Sequence, residues 1–380
     1  MEYVKLGDIC TKVCSGGTPT SSNPAYYDGN IPWLNTNEVN FCNIYSTNKT
    51  ISEEGLKKSA AKYVPENTVI VAMYGVTAGK CAIAKIPLTT NQACCNLIID
   101  KEKADYCYVY YYLRQQSDSL NKLAIGGAQQ NLNALTIKKF KIALPTLPTQ
   151  KKIASILSAY DRLIENNTRR IRLLEQMAEN IYKEWFVRFR FPEHEKVEMV
   201  NGLPKGWKIK RYEEELNIRY GKGLSTEQLK EEGYPVFGSN GQIGFYDSYM
   251  YDNPQILISC RGASSGIVNI SLPKSFITSN SLICERTEKT ESLYEYLKYY
   301  FLNNNLVQYQ TGSAQPQITI NNIVKLKLLV PELKVQRSFS EKIRVIDMEI
   351  YNLQSQIQLL TRQRDLLLPR LMSGKLEVKS

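Results

Sequence analysis

The chain has 380 residues, which is enough for more than one ordinary hydrophobic core, so two domains are expected. Its 48 Lys and Arg outnumber its 37 Asp and Glu, and the resulting charge of +11 favours a polyanionic partner. Its nine cysteines include no CxxC pair and it has a single histidine, which argues against a zinc site. We find no apolar run long enough to span a membrane and no basic and then apolar leader, so we expect a cytoplasmic protein with reduced cysteines and no membrane partner.

The first predicted domain, residues 1–148, mixes short strands with aromatic-rich helical runs and many turns. Residues 68–73 (TVIVAM) are typical of a buried strand, and residues 106–113 (YCYVYYYL) are typical of a buried helix. Strands and helices do not alternate regularly, so the pattern does not indicate a doubly wound parallel sheet. We predict an α+β domain.

The stretch YGVTAGKC, residues 74–81, is similar to a phosphate-binding P-loop but departs from it twice. Gly75 and Gly79 enclose three residues instead of four, and a cysteine stands where a magnesium-binding hydroxyl is needed. The same glycine spacing returns at Gly262 and Gly266, again after a strand-like run. A nucleotide site is therefore not expected, whereas a repeated turn is.

A long helix is predicted over residues 149–190, with Thr149 as its candidate cap after Pro145 and Pro148. Its apolar seam follows an alternating four and three spacing through Ile153, Leu157, Tyr160, Ile164, Asn167, Ile171, Leu174, Ala178, Ile181 and Trp185. A second long helix, residues 335–372, has the same spacing through Phe339, Ile343, Ile346, Ile350, Leu353, Ile357, Leu360, Arg364, Leu367 and Leu371. Each pair of positions is separated by 186 residues, and the period is that of a coiled coil.

The chain is an internal repeat, in which a linker at 191–206 precedes a second α+β domain at 207–334 and a tail follows at 373–380. The residues that match between the copies are Pro145 with Pro331, Gln150 with Gln336 and Asp161 with Asp347 at a shift of 186, Gly75 with Gly262 at 187, Asn91 with Asn280 at 189, and Pro32 with Pro235 at 203. The difference between 203 and 187 implies about sixteen extra residues between Pro32 and Gly75 in the first copy.

We predict that the two helices pair in antiparallel fashion, because the linker delivers the chain to the second domain and a shared seam then makes the second helix return. The expected fold class is α+β, with two similar domains separated by an antiparallel two-helix coiled coil and related by a pseudo-twofold axis, as in a dumbbell. In the alternative, each helix packs on its own domain. Asn167, a polar seam residue, either fixes the register or is merely tolerated.

Two similar basic modules held a set distance apart suit duplex DNA, whose features recur at a fixed rise. Linking two weakly binding modules also raises the affinity through effective concentration. The expected target is a split DNA sequence with a spacer that is not read.

Several short motifs point to one protein family. They are LGDI (6–9), GGTP (16–19), YDG (27–29), IPW (31–33), QKKIASIL (150–157) with Asp161, YKEWF (182–186) and LPRLMSGKL (368–376). With these motifs the chain resembles the specificity subunit of type I restriction-modification systems over essentially its whole length. It departs from the pattern where the second copy has Phe339 in place of Ile153, and where it has Gly221-Lys-Gly223 in place of GGTP.

The resemblance implies a subunit without catalytic activity that recognises a two-part DNA site, with one target-recognition domain for each half. It also implies docking of two methyltransferase subunits and of motor-nuclease subunits. S-adenosylmethionine would then bind the methyltransferase, and this chain would hold no cofactor and no metal.

Side chains that can contact base edges or phosphates in the predicted loops are the candidate DNA-binding residues. In the first domain they are Thr18, Ser21, Asn35, Thr36, Gly75, Lys80, Gln92, Gln129, Gln130 and Asn133. In the second domain they are Lys222, Ser239, Asn240, Arg261, Gly262, Asn280, Gln315, Gln317 and Thr319. We expect the Gly75 turn to let the backbone approach the duplex, with Lys80 on a phosphate or a guanine and Arg261 serving the other half-site. Each of these residues also has a purely structural alternative, as a turn, a cap or a solvated side chain.

Two other functions remain open from the residues. One is a stand-alone enzyme that depends on a nucleotide or transfers a methyl group, and the other is a coiled-coil scaffold with ligand-binding or peptide-binding heads. The salt dependence of DNA affinity distinguishes these alternatives from a DNA-binding protein. In a DNA-binding protein, each neutralised phosphate contributes about −0.9 to the slope of log affinity against log salt concentration.

Overall fold

The computed structural model describes residues 2–123, 131–312 and 315–378. The chain divides into two compact units, Met1–Asn167 with Ser355–Ser380 (unit 1) and Thr168–Gln354 (unit 2). Each unit therefore contains an α+β domain together with part of both long helices.

Unit 1 is built on mainly antiparallel strands and on the aromatic helix that follows them. Its strands are β1 (Glu2–Lys5), β2 (Cys10–Ser15), β3 (Tyr27–Leu34), β4 (Cys42–Ile44), β5 (Lys49–Ile51), β6 (Val69–Ala72), β7 (Cys81–Ala84), β8 (Thr89–Thr90), β9 (Cys94–Ile99) and β10 (Lys141–Leu144). Its helices are α1 (Glu53–Lys57), α2 (Tyr106–Gln115), α3 (Ser117–Lys122), α4 (Ala134–Lys139) and the first half of α5 (Leu147–Tyr182). The strand orders are β2-β9-β6-β7-β4, β5-β3-β8 and β1-β10. The pairs β3–β8 and β4–β7 are parallel.

Unit 2 repeats this plan. Its strands are β11 (Met199–Val200), β12 (Leu203–Pro204), β13 (Lys208–Arg211), β14 (Leu216–Tyr220), β15 (Tyr234–Gly238), β16 (Gly241–Tyr246), β17 (Ile256–Ser259), β18 (Val268–Ile270), β19 (Phe276–Ile277), β20 (Ser281–Arg286) and β21 (Lys327–Val330). Its helices are α6 (Tyr212–Glu215), α7 (Tyr294–Leu302), α8 (Ile320–Ile323) and the first part of α9 (Leu333–Met372). The strand orders are β14-β20-β17-β18, β16-β15-β19, β13-β21 and β11-β12.

The sheets confirm the predicted repeat. The order β2-β9-β6-β7 in unit 1 corresponds to β14-β20-β17-β18 in unit 2, and β5-β3-β8 corresponds to β16-β15-β19. Strand β4 has no counterpart among the described strands of unit 2, and it lies in the stretch where the sequence predicts extra residues. Its Asn43 side chain donates a 2.6 Å hydrogen bond to Glu165 Oε1 on α5, so the extra segment is tied to the long helix.

Strand register confirms the shift of 203 and corrects the shift of 189. Trp33 pairs with Thr89 in the parallel ladder of unit 1, and Val236 pairs with Phe276 in that of unit 2. The differences are 236 − 33 = 203 and 276 − 89 = 187, as predicted. The match of Asn91 with Asn280 is wrong, because a shift of 187 makes Ala93 the counterpart of Asn280.

Backbone hydrogen bonds support this correction. Met73 N donates to Ala93 O at 2.8 Å, and its counterpart Cys260 N donates to Asn280 O at 3.0 Å. Asn91 and Asn280 are therefore not equivalent, although the residues around them in the sequence are similar.

The strand cores are buried because their residues are apolar on both faces. All four residues of β6 (VIVA) and of β17 (ILIS) are buried. The aromatic helices α2 and α7 pack on these sheets, with Tyr108 and Tyr296 fully buried. The predicted strand and helix of the first domain are thus confirmed in both copies.

The two long helices contact each other in antiparallel fashion inside each unit. In unit 1, Leu368 and Leu371 at the end of α9 join Ile153 and Leu157 at the start of α5 in one hydrophobic core. In unit 2, Phe339 at the start of α9 packs on the rings that close α5. All twenty predicted seam positions are buried or half-buried. Helix pairing and packing on a domain, which the sequence presented as alternatives, occur together.

The helix boundaries differ from those predicted. Helix α5 begins at Leu147, so Thr149 lies inside its first turn and is not its N-cap. Pro148 is tolerated in that turn because the amide it lacks has no partner there in any helix. The α-helix ends at Tyr182 and continues as the π-helical turn Lys183–Val187, whereas α9 begins at Leu333.

A buried glutamine fastens the start of each long helix to its domain. Gln150 accepts a hydrogen bond from Asp105 N at 2.9 Å and donates one to Pro145 O at 2.8 Å. Gln336, at a shift of 186, makes the same pair of bonds with Leu293 N and Pro331 O, at 2.7 and 2.8 Å. Both side chains are about 1% exposed. These bonds explain why proline and glutamine recur in register.

Asn167 has a polar partner, since its Nδ2 donates to Gln356 Oε1 at 3.1 Å. Asn167 is 5% exposed, so the bond replaces water that this amide has lost.

In the described part of the chain, no helix is long and apolar enough to cross a membrane. The same residues contain no group of three or more His, Cys, Asp or Glu that could hold a metal ion.

Candidate nucleic-acid interface

The repeated glycine motif forms the same hairpin turn in both units. In unit 1 it joins β6 to β7, where Gly79 N donates to Ala72 O at 2.9 Å and Ala78 N donates to Gly75 O at 3.0 Å. In unit 2 it joins β17 to β18, where the equivalent bonds run from Gly266 N to Ser259 O at 2.8 Å and from Ser265 N to Gly262 O at 3.0 Å. The motif is a backbone frame, and it is not a phosphate-binding P-loop.

The two glycines of each turn have different physical roles. All four have positive φ angles, between 75° and 86°, which other residues adopt only at a cost. A Cβ added at Gly75 or Gly262 would meet no atom within 4 Å. A Cβ added at Gly79 would lie 2.8 Å from Ser117 O, and one at Gly266 would lie 2.7 Å from Val307 N. The first glycine is needed for the turn, and the second also for close packing on the following segment.

The structure changes which side chains correspond at this turn. A shift of 187 pairs Tyr74 with Arg261, and Lys80 with Ile267. Lys80 is therefore not the counterpart of Arg261, and its Nζ donates to Asn40 Oδ1 at 2.9 Å. The exposed Tyr74 was missed from the sequence, although the register of the repeat identifies it.

In unit 1, side chains from three loops meet beside this turn. Thr18 Oγ1 donates a hydrogen bond to Gln92 Oε1, and both residues are exposed. Asn35 accepts a 3.4 Å hydrogen bond from Asn91, and Thr36 O accepts one from Thr77 Oγ1 at 2.9 Å. We name this set loop cluster 1, and it consists of Thr18, Asn35, Thr36, Gln92 and residues 74–77.

In unit 2, the corresponding loops form a similar cluster. Ser239 Oγ donates to Asn280 O at 3.2 Å, and Ser264 Oγ donates to Asn240 Oδ1. Arg261, which is exposed, forms a β-bridge with Gln317. We name this set loop cluster 2, and it consists of Lys222, Ser239, Asn240, Asn280, Gln315, Gln317 and residues 261–264.

The two loops that carry the glutamine candidates, residues 126–133 and 312–319, are described only in part. Gln129 and Gln130 lie outside the described residues. Gln315 and Gln317 are exposed, and Gly262 N donates to Pro316 O at 3.1 Å, which brings this loop to the hairpin turn.

Two candidates at the ends of these loops have capping roles. Asn133 Oδ1 accepts a bond from Thr136 N at 2.8 Å and so caps α4. Thr319 precedes α8, and its backbone N and its Oγ1 both donate to Asn322 Oδ1, at 2.8 and 2.7 Å. The structural alternative is thus realised at both positions, so neither is free to offer all of its polar atoms to DNA.

Lys222 replaces a glycine of the first domain. A Cβ at Gly16 would lie 2.1 Å from Thr90 O, and one at Gly221 would lie 2.3 Å from Thr278 O. These two glycines are therefore structural counterparts, so Gly221-Lys-Gly223 stands in the place of GGTP, as expected, and Gly17 is the counterpart of Lys222. Lys222 is exposed at the turn that follows β14. Ser21 is exposed and precedes the short helical turn Pro24–Tyr26. It is not part of loop cluster 1.

The cysteines below the hairpin turns are neutral packing residues. Burial raises the pKa of the Cys81 thiol, and burial likewise raises that of Cys260. A neutral thiol is a poor nucleophile and a poor metal ligand, so these side chains contribute volume to the sheets.

The fold and the two loop clusters define a class of protein. It carries two copies of one α+β domain, each displaying exposed amide, hydroxyl and basic side chains on a glycine-supported frame, and its surface charge favours an anionic polymer. Such side chains can recognise an anionic polymer by hydrogen bonds and charge.

Comparisons with known proteins identify the family. The family model described as the type I restriction modification DNA specificity domain matches residues 1–176 and 204–361. The MjaIX specificity subunit of Methanocaldococcus jannaschii is 28% identical over 99% of this chain and 93% of that protein, and the EcoprrI specificity subunit of Escherichia coli is 25% identical over 88% and 85%. A crystal structure of the type I S subunit from M. genitalium shares the fold, with a TM-score of 0.64 over 97% of this chain and 95% of that chain at 20% identity.

The chain belongs to the type I restriction-modification specificity family. It is the DNA sequence-recognition subunit of such a system, and it is not itself an enzyme. Membership implies assembly with methyltransferase and restriction subunits on DNA.

Proposed function

We propose that loop cluster 1 reads one half of a two-part DNA site and that loop cluster 2 reads the other half. The observation that carries this proposal is the duplicated hairpin, whose backbone hydrogen bonds are the same in both units while its exposed side chains differ. A constant frame with different side chains is what two readers of different base sequences need. The spacing of the two halves would follow the length of the paired helices.

Within loop cluster 2, Arg261 is the proposed guanine reader. Its guanidinium can donate two hydrogen bonds to O6 and N7 of guanine, the commonest specific contact in the major groove. Gln315 and Gln317 are suited to adenine, because an amide can both donate to N7 and accept from N6. Lys222 is suited to a phosphate.

Within loop cluster 1, Gln92 is the matching adenine-reading candidate. Thr18 Oγ1 donates to its Oε1, an amide oxygen that can accept a second hydrogen bond, as adenine recognition requires. Lys80, tied to Asn40, is proposed as a phosphate contact only.

We further propose that two methyltransferase subunits bind the chain, one for each half-site, and that motor-nuclease subunits join them. S-adenosylmethionine would bind the methyltransferase. The proposed site of action is the cytoplasm, where the complex meets DNA.

The experiment that tests this function is methylation mapping in cells that express the chain with its methyltransferase subunits. We expect a motif of two short parts with an unread gap. Insertion of one heptad into both α5 and α9, at their midpoints, should change the gap and leave both halves intact. A continuous motif would contradict the proposal.

A second measurement uses purified complex and a duplex of the mapped motif. Affinity should fall steeply as salt rises, by a log-log slope of about −0.9 for each neutralised phosphate. An affinity that is independent of salt would favour the scaffold alternative. Tight binding of S-adenosylmethionine or ATP to the isolated chain would favour the enzyme alternative.

A further inference from the structure

The tip of the hairpin in unit 1 displays an apolar side chain to solvent. Val76 lies between Gly75 and Thr77, and its side chain is 100% exposed. Tyr74, on the same turn, is 39% exposed. The two methyl groups of Val76 are in full contact with water and pack against no other side chain. They therefore contribute no hydrophobic stabilisation to the folded chain.

The backbone that carries Val76 is held from both sides. Thr77 Oγ1 donates to Thr36 O at 2.9 Å, which ties the turn to the neighbouring loop. Gly79 lies against Ser117 at the start of α3, so closely that no Cβ fits there. The apolar tip is therefore presented by a fixed frame, and it adjoins the polar residues of loop cluster 1.

The same position in unit 2 carries a smaller side chain. A shift of 187 pairs Val76 with Ala263, which is also exposed. Thr77 pairs with Ser264, which bonds to Asn240. The two hairpins thus differ at their tips by apolar bulk, on frames that are otherwise alike.

We propose that Val76 is a specificity-determining residue that contacts the C5 methyl group of one thymine in the major groove, an inference that rests on the proposed DNA-reading function. The thymine methyl is the apolar feature of the base edges, and small apolar side chains contact it. Side chains that enter the base stack and kink the duplex are larger, such as Phe, Leu, Ile or Met. The size of Val76 fits an edge contact, and so does the bond of the adjacent Thr77 to Thr36 O, which ties the turn to a polar loop of loop cluster 1.

The test uses the full chain with its methyltransferase subunits and duplexes in which each thymine of the mapped motif is replaced in turn by deoxyuridine. Deoxyuridine keeps the hydrogen-bonding groups and lacks only the methyl group. For the unmodified protein, one replacement should lower the affinity by about fourfold, the value of one buried methyl group. In Val76→Ser, the ratio of affinities for thymine and deoxyuridine at that position should fall to about one.

One control variant and the choice of readout keep the outcome specific. Val345→Ser removes another exposed valine, 70% exposed on α9, and should keep the fourfold ratio. Because the measured quantity is a ratio for one protein, a general loss of affinity in any variant cancels.

Three outcomes would overturn the proposal: no sensitivity of the unmodified protein to deoxyuridine, the same ratio in Val76→Ser, or a motif without thymine in either half. If Val76→Ser weakens binding to both duplexes equally, the tip acts by insertion and the methyl contact is wrong. Failure of the proposed function is a different result, namely equal affinity of the unmodified complex for the motif and for a shuffled duplex.

Discussion

Arg364 donates a 2.6 Å hydrogen bond to the carboxylate of Asp161, which joins α9 to α5 inside unit 1. The repeat keeps this carboxylate as Asp347 but places Ala178 where the arginine would be, since 364 − 186 = 178. In unit 2 the positive charge comes from Lys298 on α7, at 2.7 Å. In unit 1 the carboxylate is thus neutralised by the partner helix and also by Arg114 of α2, 3.8 Å away, whereas in unit 2 the charge comes from the domain.

The first prediction concerns this ion pair. The side chains of Arg364 and Asp161 are 9% and 14% exposed, and removal of the arginine leaves the carboxylate with the more distant Arg114 and the Tyr111 hydroxyl as partners. We expect Arg364→Ala to lower the free energy of unfolding by about 2 kcal/mol, less than for a buried charge that is left without any partner. The matched control, Arg170→Ala, breaks an exposed pair with Glu349 and should cost less than about 1 kcal/mol. Urea unfolding of the full chain measures both, and equal losses would contradict the assignment.

The second prediction concerns the buried glutamines. Gln150→Ala removes the partners of two backbone groups, Asp105 N and Pro145 O, and should cost about 2 kcal/mol or more. Gln336→Ala should cost a similar amount because its bonds are the same. The control is Gln358→Ala on the exposed face of α9, for which we expect little change. Thermal unfolding distinguishes these variants, and a Gln150 variant as stable as the control would show that water replaces the bonds.

The third prediction separates the two glycines of the hairpin turn. Gly75→Ala meets no atom and should cost about 1 kcal/mol, the price of a left-handed conformation. Gly79→Ala has the same backbone cost and in addition a contact of 2.8 Å with Ser117 O, so its loss of stability should be clearly larger. The pair Gly262→Ala and Gly266→Ala repeats the comparison in unit 2. Equal losses within a pair would mean that the neighbouring segment moves away at no cost.

The fourth prediction concerns alkaline pH. Burial raises the pKa of the Cys95 thiol to about 12, and it raises that of Cys10 to about 12 as well. An unfolded thiol has a pKa of about 8.5, so the unfolded state loses its protons first as pH rises. The stabilisation from these thiols is complete below about pH 8.5 and is lost progressively as pH rises towards 12.

We therefore expect the free energy of unfolding, measured with a reducing agent, to be lower at about pH 9.5 than at about pH 7.5. The decrease per pH unit is at most about 1.4 kcal/mol for each thiol. Cys95→Ala should show a shallower decrease than the unmodified chain. An unchanged slope in this variant would assign the alkaline loss to other groups.

Periodic features of the fold were predictable from the sequence, whereas the positions of loops were not. Seam positions such as Ile153 and Phe339 follow from a repeat of side-chain polarity along a helix, which depends on local geometry alone. The division of each helix between two units does not follow, because the packing of Leu368 against the first domain is a contact between distant parts of the chain. Helix α5 begins two residues before the predicted start because Pro148 fits its first turn, whereas the prediction treats this proline as a residue that precedes the helix.

The sequence predicts which side chains could contact DNA, and the structure shows which of these candidates lie close together. Residue type alone selected Arg261, Gln317 and Asn280, which the structure brings together. Residue type could not exclude Lys80 as the counterpart of Arg261 in the repeat. Only the strand register shows that Tyr74 is the residue equivalent to Arg261. Val76 was overlooked because an apolar residue in a turn has no polar signature, and its exposure is visible only in three dimensions.

The division of the chain also determines the order in which it can be completed during synthesis. Unit 2 is one continuous stretch, Thr168–Gln354, whereas unit 1 requires Ser355–Ser380. A ribosome therefore delivers every residue of unit 2 before Leu368 is available to cover Ile153. During that interval the apolar start of α5 lacks part of its final cover, so the nascent first domain exposes apolar surface that can aggregate.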